Sequence, residues 1–357
     1  MARRNEDVVV RSVLGRLNKV SFAVNQNKEL VNKLVTELGH CLQREEGTLK
    51  GSTIRHAGSA YENLAVKNQA DYDLILQLGE PFVSNNFTII QDSHERFMLY
   101  TLQRRENPLI RNKDIFCSKR GNLKTEELRN DIFERLKKIL STIKVPGMTL
   151  KAYPKLAAMQ LILTTGNREP IEMDLTPQIV ACEWKNCPGL VSLESLPRCL
   201  VVYVESNSRR NAPVLYFTPA VLSAQKNEAH EVCNMVSFSL LEKHFLKEEV
   251  NIHDMVRLAK LVKDQQNWTN DYGLKSFHLK RLAIKNADTL RTMTTWNGFK
   301  ALLQFLDVEL EEKGGITDCF VNGNFIYYIT KPNKVKGFCH ALRDVQRWQP
   351  DRLNSMV

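Results

Sequence analysis

Asp71 and Asp73 lie downstream of the pair Gly58-Ser59, with Ala60 to Ala70 between them. On a strand, Tyr72, Leu74, Leu76 and Leu78 share an apolar face and Asp71 and Asp73 share the other, so both acids point the same way. Like charges held that close call for a cation. Oxygen ligands on a rigid backbone suit Mg²⁺ or Mn²⁺. Upstream, Gly58 leaves room for backbone N–H groups to approach phosphate oxygens, and Ser59 adds a hydroxyl. A phosphate-gripping turn feeding a strand with two metal-binding carboxylates implies nucleotidyl transfer.

Two-metal phosphoryl chemistry also needs a ligand from a separate strand. Ile171-Glu172-Met173-Asp174-Leu175 offers Asp174: Ile171, Met173 and Leu175 alternate inward, while Pro170 and Pro177 bracket a short strand. The candidate catalytic and metal set is therefore Asp71, Asp73 and Asp174.

These residues need a scaffold, and 357 residues with 43% hydrophobic content can bury a sizeable core. Apolar positions from Val10 to Leu42 recur at helical spacing, predicting a long N-terminal helix over 7–45, either continuous or broken near Asn25 to Asn27. Strands are expected at 156–163, 171–175, 200–204 and 214–217. A helix capped by Thr125 is expected, with Glu126 and Glu127 in its first turn and Lys137 and Lys138 in its last. From Lys226 the pattern turns helical, over 228–248, 253–266, 273–286 and 296–312. A hairpin around Asn322-Gly323 and a final helix over 334–348 follow. The expected fold is α+β and bilobed: a mixed-sheet lobe over 1–225 with a long spine helix, and a helical lobe over 226–357.

No run approaches the roughly 18 apolar residues of a spanning helix, and the N-terminus has no apolar leader, so a soluble cytoplasmic protein without membrane partners is expected. The eight cysteines are scattered and read as reduced thiols. Cys182 and Cys187 could bind zinc, although a loop closing over Trp184 is the preferred reading. The net charge is +10, and residues 101–160 hold fourteen Lys or Arg against six acids. That concentration points to a polyanionic partner. Lys137, Lys138 and Lys144 within it, with Lys19 and Lys28 on the outer face of the long helix, are the candidate nucleic-acid contacts.

In this context the chain resembles the cyclic GMP-AMP synthase-like receptors along most of its length. Gly58-Ser59, Asp71-Tyr72-Asp73 and Asp174 are similar to that family's activation-loop Gly-Ser and metal triad. Ser237-Phe238-Ser239-Leu240-Leu241-Glu242-Lys243 and Ser276-Phe277-His278-Leu279-Lys280 are similar to two further motifs. The resemblance implies that Gly58, Ser59, Ser239, Lys260 and Ser276 bind nucleotide phosphate and that Phe277 stacks on a base, a role for which an aromatic face is well suited. It implies a nucleic-acid-activated synthase making a cyclic GMP-AMP-type messenger from ATP and GTP in innate immunity, acting through a STING-type receptor. Two departures stand out. Met235 replaces an arginine, and Leu246 to Asp254 lacks the cysteines of a zinc loop. No zinc is expected, and double-stranded RNA is favoured over DNA as the trigger. The alternatives are a catalytically silent nucleotide-binding scaffold and a transferase forming linear oligonucleotides.

Overall fold

The computed structural model describes residues 2–67, 72–94, 97–105, 116–166, 169–210, 212–219 and 233–357. In chain order the elements are α1 (Ala2–Leu42), β1 (Thr53–Ala57), α2 (Gly58–Tyr61), β2 (Tyr72–Gln77), β3 (Phe87–His94), β4 (Phe97–Arg104), α3 (Thr125–Thr142), β5 (Thr149–Pro154), β6 (Met159–Thr164) and β7 (Ile171–Val180). There follow α4 (Arg198–Arg209), β8 (Tyr216–Pro219), β9 (Cys233–Ser237), α5 (Ser239–Glu248), α6 (Val250–Gln265), α7 (Trp268–Tyr272), α8 (Ser276–Lys285), α9 (Ala287–Arg291), α10 (Thr295–Lys313), β10 (Gly315–Thr317), β11 (Phe325–Tyr328) and α11 (Pro332–Gln346).

Helix α1 is one uninterrupted rod of 41 residues, roughly 60 Å long, with no break at Asn25 to Asn27. Its continuity follows from an apolar stripe, Val10, Val13, Leu17, Val24, Val31, Leu34, Leu38 and Leu42, all buried. The stripe touches both the sheet and the C-terminal helices, including α10. Among the described residues, nine strands join in one mixed sheet ordered β1-β2-β7-β8-β9-β4-β3, with β6 and then β5 extending from β7. The β2–β7 pair is parallel and the others are antiparallel. One hydrophobic core runs from α1 through the sheet into α6, α8 and α10. The mixed α and β content agrees with the expected class, and the boundary expected at residue 225 lies outside the described residues.

Several elements differ from expectation. Residues 200–204 are helical: Leu200 and Val204 are buried four apart while Val202 is exposed, which is a helix repeat rather than a strand alternation. The expected helix over 228–248 gives way at Cys233–Ser237 to β9, because pairing with β8 and β4 supplies the ladder bonds that outweigh local propensity. Gly273, at φ +79°, divides the expected helix over 273–286 from α7 before it. Thr125 does not cap α3; it is the first helical residue, buried, and its hydroxyl accepts from Asn234 Nδ2 at 3.2 Å.

Candidate active site

Strands β2 and β7 deliver the carboxylates. On β2, Tyr72, Leu74 and Leu76 are buried, as is Leu78 just beyond it, and Asp73 lies on the opposite face; on β7, Ile171, Met173 and Leu175 are buried and Asp174 is half-exposed. The parallel register sets Asp73 directly beside Asp174, so the two side chains emerge about 4.8 Å apart along the sheet. Asp71 lies outside the described residues. Among the described residues no three His, Cys, Asp or Glu side chains converge as a metal-holding group, while two adjacent carboxylates on rigid strands are the donor chemistry that hard divalent cations take.

Gly58 presses against Asp73. Its φ is +81°, and a Cβ there would collide with the Asp73 carboxylate and come 2.9 Å from the Asp73 backbone nitrogen. The turn can therefore approach the carboxylate only as glycine. Ser59, buried, opens the single turn of α2 at the same corner.

Two cavities meet there. The larger, about 600 Å³, is lined by Ser59, Asp174 and four lysines: Lys67, Lys260, Lys263 and Lys275, together with Ser276. The smaller, about 360 Å³, is lined by Tyr100, Thr176, Gln178, Met235, Ser239 and Asn324 among others. Gly58, Glu62, Asp73, Phe277 and Lys280 line both. The first sets five lysines, Lys280 included, against four acids, Glu62, Asp73, Asp174 and Asp264, with Lys263 paired to Asp264 at 2.5 Å; the second mixes apolar surface with amide and hydroxyl groups. Phe277 stands partly exposed at the junction, whereas Ser239 faces the smaller cavity and Lys260 the larger. The residues expected to grip one phosphate chain are thus divided between two cavities.

A buried chain of charges fixes the turn to the C-terminal helices. Lys280 Nζ donates to both oxygens of Glu62, at 3.1 and 3.0 Å, and lies 2.7 Å from Glu242 Oε2; Arg281 pairs with Glu242 and, at 2.6 Å, with Asp318. Burial would raise the Glu242 carboxyl, but Lys280 and Arg281 outweigh it and hold it down at about 2. Arg281 also lies 4.5 Å from the ring centres of Phe238 and Phe320. The next residues are held as firmly: His253 Nε2 donates to Glu62 O at 3.0 Å, and Arg257 donates to Ala65 O and to Leu17 O on α1. Lys243 donates to His56 O at 3.2 Å, tying α5 to β1.

His278 is buried beside this chain. Desolvation, with Lys275 and Arg281 nearby, pulls its imidazole down to about 3, and Nδ1 accepts from Lys275 N at 3.0 Å. The native state thus keeps His278 neutral while the unfolded chain binds a proton below about 6.5. Stability from this residue is full above pH 6.5 and falls as pH drops toward 3, by about 1.4 kcal/mol for each pH unit. Urea unfolding at stepped pH checks this: His278→Gln is expected to flatten the slope between pH 6 and 4.

The candidate nucleic-acid residues have varied surroundings. Lys19, Lys137, Lys138 and Lys144 are exposed. Lys28 is half-buried, donates to Asn63 Oδ1 at 3.2 Å and lies over the Tyr61 ring, so it is engaged with the turn after α2. Sequence reasoning missed Glu62, Lys280, Lys263, Lys275 and Lys155. Lys280 and Lys275 stand within or beside a quoted motif; the others carry no local signal. None of the eight cysteines forms a disulfide, and no described helix is long and apolar enough to cross a membrane.

Paired strand carboxylates, a glycine-tight turn and a lysine-bearing cavity thus converge at one corner of the molecule. The chain is similar to "Cyclic GMP-AMP synthase" of Mus musculus, 25% identical over 254 residues, which is 68% of this chain and 46% of that protein. It therefore spans less than half the length of that relative. The similarity supports a distant relationship with nucleotidyltransferases of the same kind. No protein-family profile matches the chain.

Proposed function

We propose that the protein is a nucleotidyltransferase that joins ATP and GTP into a cyclic GMP-AMP-type dinucleotide when double-stranded RNA binds it. The observation that carries this reading is the meeting of two unlike cavities at Asp73, so that two nucleotides can be held with their reacting groups beside the same carboxylate. Residues 1–225 would supply the carboxylates and turn, and 226–357 most of the lysine wall.

In this reading Asp71, Asp73 and Asp174 hold Mg²⁺ or Mn²⁺, which when bound stabilises charge on the phosphates. Gly58 and Ser59 present the turn to a phosphate. Lys260, Lys263 and Lys275 offset the charge of the triphosphate, Ser276 donates a hydroxyl hydrogen bond to it, and Lys67 closes the same wall. Phe277 offers its ring to a base, and Ser239, Gln178 and Asn324 offer hydrogen bonds to the nucleotide in the smaller cavity. Asp174 is placed to accept the proton of the attacking ribose hydroxyl. The product would act on a STING-type receptor in the cytoplasm.

The deciding experiment incubates the protein, Mg²⁺ and labelled ATP and GTP with duplex RNA, duplex DNA or neither. A cyclic dinucleotide formed only with RNA supports the proposal. A linear oligomer identifies a tailing-type transferase, and no product under any condition identifies a silent nucleotide-binding scaffold.

For the RNA surface, Lys137→Glu with Lys138→Glu is expected to lower RNA affinity about tenfold or more at moderate salt and to reduce the slope of affinity against salt by about two. Fluorescence anisotropy across a salt series measures both. Unchanged affinity would move the binding face away from α3.

A further inference from the structure

Lys155 sits at the β5–β6 turn, immediately after Pro154, with its backbone N–H donating to Ala158 O at 2.8 Å. The sheet register aligns Tyr153 with Gln160, Gln160 with Asp174, and Asp174 with Asp73, so one row of side chains crosses from the outer hairpin to the carboxylates. From the end of that row the Lys155 side chain reaches back, and its Nζ lies 3.3 Å from Asp174 Oδ1. The hairpin tip is not loose: Arg129 on α3 donates to the carbonyl of Leu156, the next residue.

We infer that Lys155 is a resident counter-cation of the carboxylate site, which holds Asp174 while no metal is bound and must withdraw as a divalent cation loads. This deepens the proposed function and rests on its assignment of Asp174 as a metal ligand. A lysine and a divalent ion cannot share one carboxylate oxygen without repulsion, so the two occupancies compete. The pair is half-exposed, with side-chain exposures of 47% and 42%, which makes it weak enough to yield. Lys155 is a positioning residue here. It sets the metal concentration at which the site fills and offsets part of the charge of Asp174 beside Asp73.

The test is Mn²⁺ binding to the nucleotide-free protein, followed by electron paramagnetic resonance and by calorimetry. Lys155→Met is expected to bind Mn²⁺ about fivefold more tightly than the wild type at low salt, the gain shrinking as salt rises. Lys155→Arg keeps the charge and is expected to match the wild type. In an Asp174→Asn background the Lys155→Met gain should vanish, because the carboxylate through which it acts is gone. Asp174→Asn weakening Mn²⁺ while Lys155→Met leaves it unchanged would overturn the role of Lys155 and leave the metal assignment standing. Mn²⁺ binding indifferent to both substitutions would remove the metal assignment itself, and this inference with it. Lys155→Met takes away only a half-exposed charge, so its urea midpoint should stay near the wild type and separate binding from folding.

Discussion

Asp73→Asn is expected to lower dinucleotide formation by at least about a thousandfold, corresponding to roughly 4 kcal/mol of lost transition-state stabilisation, with little change in stability. The substitution is nearly isosteric, so Gly58 can still pack against the side chain. It removes a full negative charge at the strand carboxylate that lines both cavities. Nucleotide affinity should fall far less, since the lysine wall is intact. Product formation by chromatography beside nucleotide affinity by calorimetry checks the split. Synthesis persisting at a tenth of the wild-type rate or more would place the chemistry elsewhere.

Lys280→Met is expected to cost about 3–5 kcal/mol, since it leaves Glu62 and Glu242 buried without their shared partner. Against a typical total of about 5–15 kcal/mol that is a large fraction of the molecule's stability. Urea denaturation gives the loss directly. Adding Glu62→Leu to Lys280→Met should recover part of it, because one of the stranded charges is removed. Acid should weaken the same contacts in the wild type. Glu242 has its native carboxyl at about 2, below the usual range, so its contribution is full above about pH 4.5 and fades as pH falls toward 2. Because Glu62 follows α2 directly, Lys280→Met is also expected to loosen Ser59 and reduce activity in the fraction that remains folded.

The two carboxylate strands were legible because period-two alternation is a local property: Tyr72, Leu74 and Leu76, like Ile171, Met173 and Leu175, announce a buried face within six residues. Gly58 was legible as a tight turn, yet its contact with Asp73 depends on β1 and β2 pairing. Lys260 illustrates the opposite case. Read locally it is a solvated helix lysine, and only the packing of α6 makes it a buried cavity wall. The ion chain was unreadable for the same reason, since Glu62 and Lys280 stand 218 residues apart and nothing local pairs the one with the other. The helix over 198–209 and the strand over 233–237 exchanged roles with expectation where short apolar runs fit either period and neighbouring elements decided.

Asp73 and Asp174 are neighbours only because β2 and β7 lie parallel, which requires the whole of β3 to β6 as the crossover between them. The carboxylate site is thus a late product of synthesis as well as of folding. A nascent chain that has emerged only through β6 carries Asp71 and Asp73 but not Asp174, which arrives when β7 slots between β2 and β6. Since Lys260, Lys263 and Lys275 follow later still, on α6 and at the start of α8, a chain that stops before them lacks most of the lysines of the larger cavity.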